Sequence, residues 1–233
     1  MASDPDTLLL AAWDAASGAP AWVRAGVLLD ELAPEPDGAA AADQPLGTLT
    51  RRFLDLAATW FGDELATVTE CQSCGAALDA VVSVDELRRA IEATAASARS
   101  DDLDVRPLTL TDLAAAAGAP DHAAAGTILA RRALVGFDRA TEPDAELVAA
   151  VSAALDAVDP LATLTVRLTC PTCGEASEPV LDLGACCWTL ADARVRRLLD
   201  EVHELAAAYG WSEADIVALG PHRRAHYLTR VRP

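Results

Sequence analysis

Four of the six cysteines in this chain stand in two copies of one short motif, Cys71-Gln-Ser-Cys74-Gly75 and Cys170-Pro-Thr-Cys173-Gly174. A CxxC turn puts two thiols on the same side of a tight knuckle. The glycine that follows accepts the positive φ that swings backbone amides toward the sulfurs. One knuckle is half of a tetrahedral zinc site; two facing knuckles complete it, with each sulfur about 2.3 Å from the metal. The expectation is one structural Zn2+ ion held by Cys71, Cys74, Cys170 and Cys173. Such a site is closed, because four sulfurs leave no position for a catalytic water.

Three other arrangements compete with this one. Either CxxC could be a redox pair, but a thioredoxin-like motif lies between a strand and a helix, and here a strand follows each knuckle. Either could be an incidental disulfide. Cys186-Cys187 could also join Cys170 and Cys173 in an alternative site. Adjacent cysteines rarely aim at one metal, and the setting Leu181-Asp-Leu-Gly-Ala-Cys-Cys-Trp188 is apolar. The expected role of that pair is core packing.

Other chemistry is sought in vain. His203-Glu204 opens a zinc-protease signature, but Ala207 stands where the second histidine belongs. His222 and His226 have the i, i+4 spacing of a metal grip, yet Arg223, Arg224, Arg230 and Arg232 around them read as a solvated basic end. No GxSxG, P-loop or dinucleotide fingerprint occurs, and no pair of carboxylates can be assigned as acid and base. The chain reads as a non-enzyme with no small-molecule substrate.

The elements that must position the cysteines follow from periodicity. Thr7–Trp13 and Trp22–Leu32 read as short apolar helices, and Ala33–Leu46 as a mobile loop. Leu49–Leu65 reads as a helix with Leu49, Phe53, Leu56 and Trp60 on one face. Residues 64–84 then place apolar and β-branched residues on both sides of the first knuckle, which is hairpin grammar. Val84–Ser97 reads as a helix and Ala98–Asp104 as an exposed connector. Three helices are expected in the 105–160 insert, near Thr111 (a candidate N-cap), over Gly126–Leu134 and over Asp144–Val158. The hairpin grammar returns at Leu164–Gly174 and Pro179–Leu183. A long helix from about Thr189 to Tyr209 follows, broken at Gly210, then a helix capped by Ser212 and a last one opened by Pro221.

The segment Leu205–Leu219 has the small residues, turn glycine and capped second helix of a helix-turn-helix. Glu213 and Asp215, however, occupy positions where base-reading arginines are wanted. The stripe Val195, Leu198, Leu199, Val202, Leu205 and Ala206 has the width of a core-facing surface.

The bulk numbers bound these readings. A chain of 233 residues buries about 70–75% of its unfolded surface and needs no staple to fold. The formal net charge is −18, and arginine supplies all the formal positive charge, since lysine is absent. An acidic surface disfavours phosphate backbones and anionic lipid, so nucleic acid is not expected as the main partner. The start, Met-Ala-Ser-Asp-Pro-Asp, is acidic where an export signal is basic, and no apolar run reaches the roughly 18 residues of a membrane span. A cytoplasmic location with reduced or metal-bound cysteines is expected.

Beyond the motifs, the wording resembles one family. Leu168-Thr-Cys-Pro-Thr-Cys-Gly174, Leu181-Asp-Leu through Trp188, Arg197 through Ile216 and Arg223-Arg-Ala-His-Tyr-Leu228 are similar to the baseplate proteins, or baseplate hub assembly chaperones, of T-even-type contractile tails and related extracellular contractile injection systems. The first knuckle and Arg106-Pro-Leu-Thr-Leu-Thr-Asp-Leu113 share the likeness, which spans roughly residues 50–232; its C-terminal third is the specific part. The chain departs from the pattern at Ala185-Cys186-Cys187, where bulkier apolar residues are usual, and in a longer acidic, alanine-rich start. The resemblance implies a non-enzymatic role, with baseplate or hub proteins as partners. A zinc-stabilised helix-turn-helix-like DNA-binding regulator is the alternative.

The expected architecture is α+β, mostly helical, with a small zinc-clamped β unit built from two CxxCG hairpins. Its parts are an N-terminal helical segment with a flexible acidic loop (1–48) and a helix plus the first knuckle hairpin (49–104). A helical insert (105–160) and the second hairpin with the C-terminal helices (161–233) complete it.

Overall fold

The first helix starts where the side chain of Asp4 accepts the amides of Asp6 and Thr7 and Pro5 occupies a first-turn position that needs no donor. The computed structural model describes residues 4–94, 103–138 and 141–232. Helices α1 (Pro5–Ser17) and α2 (Ala21–Leu32) pack against each other, and a 3-10 turn at Ala41–Asp43 leads into α3 (Leu46–Trp60). The hairpin β1 (Glu64–Glu70) and β2 (Ala77–Ser83) follows, then α4 (Val84–Thr94). The insert holds α5 (Leu110–Ala116), α6 (His122–Ala133) and α7 (Ala145–Val158). A second hairpin, β3 (Leu168–Thr169) and β4 (Ala176–Ser177), precedes α8 (Leu183–Tyr209), α9 (Glu213–Val217) and α10 (Pro221–Val231). The protein is 59% helical, and among the described residues its sheet is confined to these hairpins, so the mostly helical α+β reading holds.

The 27-residue α8 is the axis of the molecule, touching α1, α2, α3, α10 and β1. Its N-terminal half joins the main core with Leu28, Leu29, Phe53, Leu56 and Leu65. Its C-terminal half, through Leu198, Val202 and Leu205, closes a second cluster with Ile216, Val217 and Leu228. Every residue of the stripe from Val195 to Ala206 thus packs in a core. The insert has a small core of its own around Val105, Ala133 and Val151. It is fastened by Asp112, which is 1% exposed and accepts from both nitrogens of the Arg106 fork, from Arg132 and from the Thr109 amide. Among the described residues, no helix is long and apolar enough to cross a membrane.

Several boundaries differ from expectation, each for a physical reason. The segment read as a loop, Ala33–Leu46, is held at several points. Ala41 is fully buried with its amide on Asp30, and Arg52 reaches both Glu35 and the Ala33 carbonyl. Alanine-rich stretches lack the large apolar residues that betray burial. Helix α3 stops at Trp60, and after Gly62 (φ 100°) Leu65 already belongs to β1 as its buried residue. The cap of α5 is Thr109, because Asp112 stands three residues on and closes a capping box with it. Thr111 instead donates its hydroxyl to Ala42 and Asp43. Helix α8 begins six residues before Thr189, where Asp182 caps the Ala185 amide. Burial of Gly184, Cys186 and Cys187 overrides their modest helix propensity. The expected end of α4 at Ser97 and most of the Ala98–Asp104 connector lie outside the described residues.

Candidate metal centre

Both knuckles are built by the same backbone bonds. In the first, Cys71 N donates to Ala76 O and Gly75 N to Cys71 O, both at 2.8 Å. In the second, Cys170 N donates to Glu175 O at 2.8 Å and Gly174 N to Cys170 O at 2.9 Å. Gly75 and Gly174 carry φ of 72° and 78°, the left-handed conformation that a side chain resists. This turn aims amides at the sulfurs: Ser73 and Cys74 donate to Cys71, and Thr172 and Cys173 to Cys170. Ala76 and Glu175 do the same for Cys74 and Cys173.

The first hairpin is regular, with seven paired positions from Glu64↔Ser83 to Glu70↔Ala77. The second pairs Leu168↔Ser177 and Thr169↔Ala176, with a further bridge at Thr165↔Val180. The two do not merge into one sheet; each is its own two-stranded sheet. What joins them is the sulfur cluster, with Leu78 and Leu168 packed against it.

Cys71 Sγ lies 3.7 Å from Cys173 Sγ, and Cys74 Sγ 3.7 Å from Cys170 Sγ, so the first cysteine of each knuckle faces the second of the other. All four sulfurs fall within 4.8 Å of one another. A tetrahedron of sulfurs about 2.3 Å from a zinc ion has edges of about 3.8 Å, so the cluster fits a four-coordinate metal of that size. Cys71 and Cys170 are buried with Leu78 and Leu168, while Cys74 and Cys173 are at the surface. Among the described residues this is the one group of three or more His, Cys, Asp or Glu side chains able to hold a metal.

Electrostatics in the cluster are divided. The Cys173 and Thr172 amides hold the Cys170 thiol down to about 6, and those of Cys74 and Ser73 lower Cys71. At Cys173 the Glu175 amide pulls down, but the neighbouring sulfurs of Cys170, Cys74 and Cys71, with some loss of water around the thiol, outweigh it and push the thiol up to about 12. Cys74 is raised in the same way, against the pull of the Ala76 amide. A bound dication supplies the charge that allows all four sulfurs to be thiolates together.

The remaining candidates fall elsewhere. Cys186 and Cys187 are buried in the main core, where burial raises both thiols, Cys187 to about 12, and Cys187 Sγ approaches the Phe53 carbonyl at 3.6 Å. They are packing residues, as expected. His203, His222 and His226 are exposed. Helix α9, the second helix of the helix-turn-helix-like segment, has five residues. Arg224 corrects the reading of a solvated basic end. It is 4% exposed, with its guanidinium on Asp6 at 2.5 Å, on Glu201 at 2.8 Å and on the Leu219 carbonyl at 2.6 Å. Asp6 also binds Arg194, which reaches the Trp60 carbonyl. This buried network ties α1, α3, α8 and α10 together; nothing in the sequence links Asp6 to a residue 218 positions away.

Comparison of the chain with protein-family models, curated proteins and solved structures finds no match.

Proposed function

We propose that the chain is a non-enzymatic assembly factor or minor structural component of the baseplate hub of a contractile, phage tail-like injection system, acting by binding other tail proteins. The cysteine centre holds one Zn2+ as a structural clasp in this reading. The observation that carries the clasp is the cross-knuckle sulfur spacing of 3.7 Å, which closes a four-ligand site between residues 96 positions apart. What supports the baseplate role is the wording of the C-terminal third, from Leu168 to Leu228. An acidic molecule whose helices are locked by buried ion pairs suits a rigid binding partner.

Purification of the tagged protein from its own host, with mass spectrometry of what accompanies it, tests the role. The expected companions are hub, spike or sheath-type tail proteins, and a deletion strain is expected to yield defective particles. Particles that assemble and fire normally without the chain would remove the proposal. Retention on duplex DNA that weakens with added salt would favour the regulator reading instead.

A further inference from the structure

We infer that a long apolar furrow between the N-terminal helices and the insert is the docking groove for a basic amphipathic helix of a partner protein. Two hollows, of about 550 and 320 Å³, share Leu46, Leu113 and Ala162 in their linings and so adjoin. The first is floored by Leu49, Phe53 and Leu183 and rimmed by Trp22 and Val180. Those rim residues are 41% and 64% exposed, among the largest apolar exposures in the described protein. The second runs on among the insert helices past Leu129, Val148 and Leu155. An elongated apolar channel between helices accepts one face of a helix, with large side chains at i, i+3, i+4 and i+7 as its anchors.

Charge selects the kind of helix. Among the described residues, every charged side chain lining the furrow is a carboxylate: Asp182 in the first hollow, Asp156 and Asp159 in the second. Asp159 and Asp182 each accept one backbone amide, from Gly47 and Ala185, and among the described residues no arginine forms an ion pair with any of the three. With a net charge of −18 behind them, these groups attract lysine and arginine flanking the apolar face and repel an acidic helix. A second copy of this chain is a poor source. The arginine-rich helix α10 already turns Leu228 and Tyr227 into the cluster it shares with α8. This deepens the protein-binding half of the proposed function and rests on that half alone.

The test is fluorescence anisotropy with a labelled synthetic helix of leucine and lysine at amphipathic spacing, against the same helix with glutamate for lysine. The full-length, metal-loaded protein is expected to bind the lysine helix, more weakly as salt rises, and to ignore the glutamate helix. Trp22→Ser, Val180→Asp and Asp156→Lys are surface changes, each checked for unchanged helical content and metal content. Each of the two rim changes is expected to weaken binding by about tenfold or more, and the lysine replacement to weaken it as well. Equal binding by the three variants, or equal binding of the glutamate helix, would overturn the proposal. So would a dimer in sedimentation that Val180→Asp splits, which would assign the furrow to a second copy. Absence of tail proteins in the host purification would remove the baseplate reading and leave the furrow standing.

Discussion

At the scale of single residues, the molecule is held by carboxylates that have traded water for guanidinium groups. Arg224 and Asp6 are the deepest pair, and removing one partner leaves the other charged and buried. Arg224→Ala is expected to cost about 3–5 kcal/mol, read as a shift of the urea midpoint with unchanged slope. Asp112 gives a pH dependence. Burial raises its carboxyl, but Arg106, Arg132 and the Thr109 amide outweigh that and hold it well below the ordinary range. A carboxyl depressed in the folded state contributes its full stabilisation above its unfolded value, near pH 4, and loses it as pH falls toward the folded value. Asp112→Asn is therefore expected to be less stable than the parent at pH 7, with the two curves converging below about pH 4; curves that stay parallel would contradict this. The four-cysteine cluster is legible because its spacing is itself the chemistry. Arg224 is not, since its arginine neighbours suggest a wet surface and its partners are distant in sequence.

At the scale of elements, glycines without an obvious task mark the closest approaches. Gly47 donates its amide to Asp159 Oδ2 at 2.9 Å, which anchors the start of α3. A methyl group there would sit 1.9 Å from Asp159 Oδ1. Gly47→Ala is expected to lower stability by about 1–3 kcal/mol through overpacking and loss of that anchor, measured by thermal unfolding. Gly184 plays the same part in α8, where an added Cβ would meet that of Ala25 at 2.7 Å. These positions explain what sequence reading caught and missed. The hairpin around Cys71 is readable from its alternation, α2 and α7 from their apolar content and α10 from its opening Pro221. The first turns of α8 are not legible because Gly184 and Cys187 serve contact with α2 and α3 rather than helix propensity.

At the scale of the whole molecule, the sulfur clasp and the helical core are separate sources of order. The main core contains no metal ligand, whereas the two-residue strands β3 and β4 have little besides the knuckle to define them. Stripping the metal with a chelator is expected to leave the helical circular dichroism nearly intact while β3 and β4 lose amide-exchange protection; global unfolding would show that the clasp also holds the core. Acid is expected to release the metal as the thiolates protonate. The measurement that bears most directly on the clasp is metal content per chain by elemental analysis of three proteins: the parent, Cys71→Ser/Cys74→Ser and Cys170→Ser/Cys173→Ser. One zinc per chain in the parent, lost in both variants, is the predicted result. Zinc retained when either knuckle is removed, or a parent with six free thiols and no metal, would contradict it.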